Sequence, residues 1–250
     1  MADVKISVIV PCYNSQETIF RAINSVLTGS VLPFEILIYD DNSKDKTIET
    51  VEENFSSNCL VRVFRGFENK GAGFARSELL RRADGNFIAF LDSDDWWYYN
   101  KLEKQIKRIL TDNCDIVTCS YHVFDERNRL IGKRTPLLKI NFFTLHLSNW
   151  LPTSMTIFRK NLLEAHEMPS IRTRQDYAFW LKIFKANSQI KCCVIEQPLG
   201  GYLRRSNSLS SGGIKNLMYN YQMFRGIMQY NWAFSIFLVL LNSAIRILRK

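Results

Sequence analysis

The chain has 250 residues, a formal net charge of +9, 46% apolar residues and 23% charged residues. This length and balance exclude a disordered chain and fit one large α/β domain, alone or with a short appendage. The positive charge suits phosphate-bearing partners (nucleotide, nucleic acid or an anionic membrane surface), but it equally serves solubility and does not choose among them.

In chain order, residues 4–10 (VKISVIV) are a β-branched apolar run closed by Pro11, which predicts a strand buried on both faces. A helix follows with Ile19, Ala22, Ile23, Val26 and Leu27 inward, Ser15 as N-cap and Gly29 as stop. EILIY (35–39) is the second strand. Ser43 and Asp45 are candidate caps of a helix that buries Ile48, Val51 and Phe55. LVRVF (60–64) is a third strand, 72–83 a helix, FIAFL (87–91) a fourth strand and 98–111 a helix. Strand and helix alternating four times predict a doubly wound, mostly parallel sheet with right-handed crossovers, which binds ligands at the carboxyl ends of its strands. Further on, 115–124 and 129–132 form a hairpin about Asp125–Asn128, 175–187 a helix and 190–195 a strand.

Six cysteines, at 12, 59, 114, 119, 192 and 193, form no C-x-x-C pair, so neither a zinc site nor a thioredoxin-like motif is expected. Their apolar surroundings read as buried free thiols in a reducing compartment. The start MADVKISVIV lacks the features of a signal peptide, and the chain is placed in the cytoplasm. His122, His146 and His166 are not spaced as a metal site and read as structural.

Two acidic clusters fall at strand ends: Asp40-Asp41 after the second strand and Asp92-Ser93-Asp94-Asp95 after the fourth. Carboxylates crowded into one turn repel each other, and a hard cation, Mg²⁺ or Mn²⁺, balances them through oxygen ligands. An acidic turn capping the next helix is the competing explanation.

With these clusters in place, four segments in order, SVIVPCYN (7–14), YDDNSKDKT (39–47), ENKGAGFARSELLRRADGNFIAFLDSDD (68–95) and TRQDYAFWLKI (173–183), resemble family 2 glycosyltransferases of the GT-A fold. The likeness is strong over 4–100, thinner to about 205 and absent beyond 214. It implies a GT-A domain over 1–213, with a Rossmann-like nucleotide-sugar half (1–114), a mixed acceptor half (115–213) and a helical tail (214–250). It also implies roles. Tyr13 matches the aromatic that stacks on uracil, although core packing is an alternative for it. Asp41, and less directly Asp40, match the carboxylate that accepts from the base. Asp92 matches the first Asp of D-x-D, near the ribose, and Asp94 the second, which binds the metal bridging the donor phosphates. Pro11 and Ser93 belong to the same nucleotide-binding set. Lys70 lies near a basic position that meets the diphosphate. Arg76 is positioned like an Arg common in the family, with bracing of the acidic loop as the alternative.

Asp176 matches the family's general base, with Gln175 where Glu is commoner; capping the helix is compatible with that role. Trp180, one turn on, lines the acceptor pocket or belongs to the core. Leu151-Pro152-Thr153-Ser154 resembles an acceptor-side segment. Arg204 and Arg205, before Ser206-Asn207-Ser208, resemble a basic loop that covers the diphosphate, or are solvated surface.

In the tail, residues 226–245 carry no charge, and WAFSIFLVLL (232–241) is flanked by Arg225, Arg246, Arg249 and Lys250. Gln229, Asn231 and Asn242 interrupt it, which favours an interfacial helix on anionic lipid over a packed core helix, a dimer contact or a membrane span.

The reading is an inverting glycosyltransferase that moves a hexose from UDP-glucose or UDP-galactose, with Mn²⁺ or Mg²⁺, to a hydroxyl of a lipid-linked glycan. It would form a β-linkage, of the β-1,3 kind, in lipopolysaccharide or O-antigen synthesis at the inner face of the cytoplasmic membrane. Two other classes compete. A metal-dependent nucleotidyltransferase would need a Gly-rich, basic first loop where this chain has PCYN. A nucleic-acid-binding module has only the charge in its favour.

Overall fold

A computed structural model describes residues 4–163, 168–169, 171–205 and 213–248. The first part of the chain alternates as expected: β1 (Ile6–Cys12), α1 (Ile19–Leu27), β2 (Glu35–Asp40), α2 (Thr47–Phe55), β3 (Val61–Arg65), α3 (Ala72–Arg82) and β4 (Phe87–Phe90). Every residue of β1, β2 and β4 is buried, because helices cover both faces of the sheet. Successive β1 side chains serve opposite layers. Ile9 joins the core beneath α3, while Val8 and Val10 join the core beneath α1 and α2.

The later elements are β5 (Trp96–Trp97), α4 (Lys101–Asp112), β6 (Ile116–Phe124), β7 (Leu130–Arg134), α5 (Phe142–Leu147), a 3₁₀ turn at Thr153–Met155, β8 (Ile157–Arg159), α6 (Gln175–Ala186), β9 (Cys192–Leu203), α7 (Gly213–Gln222), a π turn at Met223–Ile227 and α8 (Trp232–Leu248). Of these, β5, α5 and β8 are too short to announce themselves by periodicity.

The sheet runs β3-β2-β1-β4-β8-β6-β9-β5, with β7 beside β6. Its first four strands are parallel, and β8 joins them antiparallel to β4. The order turns back between β1 and β4, which is where an open α/β sheet leaves a crevice at its carboxyl edge.

Pro11 does not close β1; the strand runs through it to Cys12. Ile9 points its carbonyl at Leu91 N–H, so Pro11, two residues on, faces the same side. There β4 has already ended, and no ladder bond needs the N–H that proline lacks. Ser15 does not cap α1 with its side chain. Its carbonyl takes Thr18 and Ile19 N–H in a preceding turn, and its hydroxyl meets Ser93 Oγ at 2.7 Å.

The cysteine expectation is corrected. Cys114, in the turn just before β6, and Cys193, on the neighbouring strand β9, form a disulfide with Cα atoms 6.1 Å apart. Parallel pairing of the two strands brings together thiols 79 residues apart in sequence. Cys59 is exposed, whereas Cys12 and Cys119 are buried free thiols.

The segment after 213 packs on the same core. Met223, Phe224, Leu238 and Val239 are buried with residues of α5 and α6. Asn242, which interrupts the apolar run, donates to His146 O and accepts from Tyr177 OH. The opposite side of α8 leaves Trp232 (64%), Phe237 (55%) and Leu240 (63%) exposed. Among the described residues no helix is long and apolar enough to cross a membrane.

Candidate active site

A cleft of about 560 Å³ opens at the carboxyl edge of β1, β2 and β4. Asp41, Asp92, Asp94 and Asp176 line it together, with Pro11, Tyr13, Ser93, Thr153 and Arg205. Pro11 comes from the end of β1, and the others from loops, turns or a helix start at that edge. Asn14 and Asn42, in the loops after β1 and β2, adopt left-handed backbone (φ 48° and 64°), which asparagine tolerates better than most residues.

Asp41 accepts the backbone N–H of Lys70 at 2.9 Å and of Gly71 at 2.6 Å. Gly71 has φ 90° at the start of α3, where a side chain would be strained. The carboxylate thus holds the α3 entry, while each oxygen keeps a lone pair for a further donor. Tyr13 is 45% exposed at the cleft, so it is not a core residue.

The acidic loop is braced from beneath. Arg76, almost wholly buried, pairs with Asp92, and its Nε has no partner among the described residues. Ser154 Oγ donates to Asp95 at 2.5 Å and accepts Asp92 N–H at 3.1 Å. Asp95 is fully buried and also accepts Leu203 N–H. Burial, then Asp94 and Asp92, drive its carboxyl well above the usual range. Burial, and next the charge of Asp92, push Asp94 up to about 6. Arg205 opposes this from the end of β9, its Nε 3.5 Å from Asp94 Oδ2.

Asp176 sits in the first turn of α6, after Arg174 in left-handed backbone (φ 63°). Such a conformation in a residue other than glycine is strained and clusters at functional sites. Asp176 Oδ2 accepts from Asn149 Nδ2 at 2.8 Å and from Thr153 Oγ1 at 3.5 Å.

Four residues expected at the site lie elsewhere. Asp40 turns its carboxylate onto Ser43 N–H, 3.2 Å away, and not into the cleft. The Lys70 ammonium pairs with Glu68 at 2.7 Å and stands over the Phe74 ring; only its backbone N–H reaches a site residue, Asp41. Trp180 is fully buried against Phe90, Phe158 and Phe179. Arg204 lines a neighbouring groove. Ser206–Ser208, His166, Arg249 and Lys250 lie outside the described residues, as does the Arg246 side chain.

Other cleft residues escaped the sequence reading: Arg172 and Arg174, Tyr202 on β9, and Asn216 and Tyr219 on α7. The two arginines lie within four residues of Asp176 and were open to discovery from that motif. Nothing in the sequence marks the α7 pair, which folding alone returns to the cleft.

The family model for glycosyl transferase family 2 matches residues 7–179, most of the chain. The chain belongs to glycosyl transferase family 2.

This family 2 glycosyltransferase is 35% identical over 219 residues to the Escherichia coli UDP-Glc:alpha-D-GlcNAc-diphosphoundecaprenol beta-1,3-glucosyltransferase WfgD, covering 87% of this chain and 84% of that one. It is 31% identical over 235 residues to the Bacillus subtilis putative teichuronic acid biosynthesis glycosyltransferase TuaG, covering 92% of each. Its fold is that of GT-A enzymes. It superposes on Staphylococcus aureus TarS, solved with UDP-GlcNAc, with a TM-score of 0.72 at 21% identity, covering 96% of this chain and 72% of that one. It superposes on the mannosyltransferase PcManGT of Pyrobaculum calidifontis, solved with GDP-Man and Mn²⁺, with a TM-score of 0.70 at 16% identity, covering 98% and 74%.

The donor set of the acidic loop fits a hard divalent cation. Asp94 offers carboxylate oxygens of the kind such a cation takes; burial first and the charge of Asp92 next raise its carboxyl, and a bound cation would offset that penalty.

Proposed function

We propose that this glycosyltransferase transfers a hexose from a UDP-sugar, with inversion, to a hydroxyl of a diphosphoprenol-linked saccharide, forming a β-linkage. The observation that carries this reading is the sharing of one cleft by Asp41, Asp92, Asp94 and Asp176. Tyr13 offers an exposed ring for the uracil face, and Asp41 an acceptor for a base N–H. Asp92, held by Arg76, takes the ribose side, with Pro11 and Ser93 lining the same end. Asp94 would hold Mn²⁺ or Mg²⁺, which when bound stabilises charge on the departing diphosphate. Arg205 adds a fixed cation on the same side.

Asp176 works from the α6 side. Inversion needs one in-line displacement: the acceptor oxygen bonds to the sugar carbon as the bond to the UDP oxygen breaks. The Asp176 carboxylate takes the hydroxyl proton, and UDP leaves with the bonding pair. Asn149 and Thr153, donating to one carboxylate oxygen, orient the other.

The E. coli relative, named as a UDP-Glc beta-1,3-glucosyltransferase, supports UDP-glucose as donor and a β-1,3 bond; the B. subtilis relative, named for teichuronic acid biosynthesis, supports a role in polysaccharide synthesis, which we take to be of the O-antigen kind. Residues 1–213 would form the catalytic unit, in nucleotide (1–114) and acceptor (115–213) halves, with Asn216 and Tyr219 of α7 completing its cleft. The 214–250 tail would seat the enzyme on the inner face of the cytoplasmic membrane through the exposed side of α8.

The test is a panel of UDP-sugars with Mn²⁺, read by UDP release and by thermal shift. UDP-glucose hydrolysis and a UDP-dependent rise in Tm are expected. No UDP release from any sugar, with no shift by UDP, would overturn the reading.

A further inference from the structure

Next to the donor cleft lies a second groove of about 450 Å³, where Arg127, Arg129, Arg204 and Arg205 meet Asp125 and Glu126. Four guanidiniums against two carboxylates leave a positive surplus. The groove is built by order, not by chance crowding of mobile side chains. Asp125 Oδ1 accepts the backbone N–H of both Arg127 and Arg129 at 2.9 Å, and Arg129 Nε donates to Asp125 Oδ2 at 2.7 Å. This ties the β6–β7 turn into one unit. The end of β9 is fastened to it where Arg204 N–H donates to Phe124 O at 2.8 Å. Arg21 then braces the turn against the acidic loop, donating to Asn128 Oδ1 at 2.7 Å and to Asp94 O at 3.2 Å. Arg205 lines both cavities.

We propose that this groove is a second anion site, which takes the diphosphate of the acceptor. The inference rests on the donor reading of the main cleft. A monosaccharide linked through a diphosphate brings that diphosphate within one sugar ring of the hydroxyl it offers. Two diphosphates then approach each other, and their repulsion must be offset by fixed cations between and beside them. Arg205 stands between the two cavities, and Arg127 and Arg204 supply planar forks suited to phosphate oxygens on the far side.

The experiment uses the double variant Arg127→Gln/Arg204→Gln, which leaves Arg205 and the cleft intact. The probes are GlcNAc-diphosphate carrying a short alkyl chain and an alkyl GlcNAc glycoside without phosphate. The expected result is a KM for the diphosphate acceptor raised about ten-fold, with the glycoside KM, the donor KM and UDP-glucose hydrolysis unchanged. Titration of the diphosphate probe into UDP-saturated protein gives the same comparison without turnover. An unchanged KM and affinity for the diphosphate probe overturns the proposal. So does a variant that keeps that KM yet loses binding to phosphatidylglycerol vesicles, since the groove then serves lipid headgroups. Absence of UDP-sugar hydrolysis in the unaltered protein is failure of the donor reading. Normal hydrolysis with an unaltered diphosphate preference is failure of the groove alone.

Discussion

Asn149 Nδ2 donates to Asp176 Oδ2 at 2.8 Å, and this bond links the acceptor-side loop to the first turn of α6. The bond fixes one carboxylate oxygen in place, and an oriented carboxylate is what proton removal from a hydroxyl requires.

Asp176→Asn therefore keeps the shape and loses the base. Transfer falls by about 10³-fold, while the Tm rise caused by UDP and Mn²⁺ stays that of the unaltered protein. Turnover at the normal rate would remove Asp176 from the mechanism.

Asp94→Asn separates metal from nucleotide. The part of the UDP-induced Tm shift that depends on Mn²⁺ disappears, and the metal-independent part remains. The pH behaviour has a defined sign. Folding raises this carboxyl from 3.8 to about 6, so the folded state binds more protons in that window. The stabilising contribution of the protonated group is fully present below pH 4 and lost as pH rises through about 6. Calorimetry of the metal-free protein should show that loss diminished in Asp94→Asn, and Mn²⁺ binding to the unaltered protein should weaken as pH falls through about 6. Mn²⁺ binding that is flat from pH 7 to pH 5 contradicts the assignment.

Lys101 is fully buried beneath the Trp97 ring, 3.8 Å away, with Gln105 Oε1 as its hydrogen-bond partner at 2.7 Å. Burial lowers its pKa from 10.5 to about 7. Between these values the unfolded chain holds the proton and the folded chain does not, so this residue's contribution to stability rises with pH from about 7 to about 10. Lys101→Met abolishes that slope. Its Tm relative to the unaltered protein is highest at pH 7 and below, by about 3 °C or more, and the gap narrows toward pH 10. A gap independent of pH would show that the lysine does not titrate differently on folding.

Trp232 and Phe237 are 64% and 55% exposed on α8, away from the side that packs on α5. Trp232→Ser/Phe237→Ser should lower binding to vesicles containing phosphatidylglycerol by about ten-fold or more, with hydrolysis of the donor unchanged. Sedimentation with vesicles measures this, and an unchanged bound fraction rejects the lipid-facing role of α8.

The sequence by itself determined β1 to β4, their helices and the positions of Asp41, Asp92 and Asp94. A strand covered on both sides must be apolar throughout, its helices repeat at 3.6 residues, and ligands gather at strand ends; all three are local facts. Tertiary structure decided the rest. Trp180 is one helical turn from Asp176, yet the first turn of α6 overhangs the sheet edge while the next lies over Phe90 and Phe158, so one residue lines the cleft and the other is core. Spacing along a helix fixes which side chains share a face but not how far that face extends past the sheet. The Cys114–Cys193 bond, the groove of arginines beside Asp94 and the return of Tyr219 to the cleft have the same origin. Each joins residues far apart in the chain, and only packing sets the distance between them.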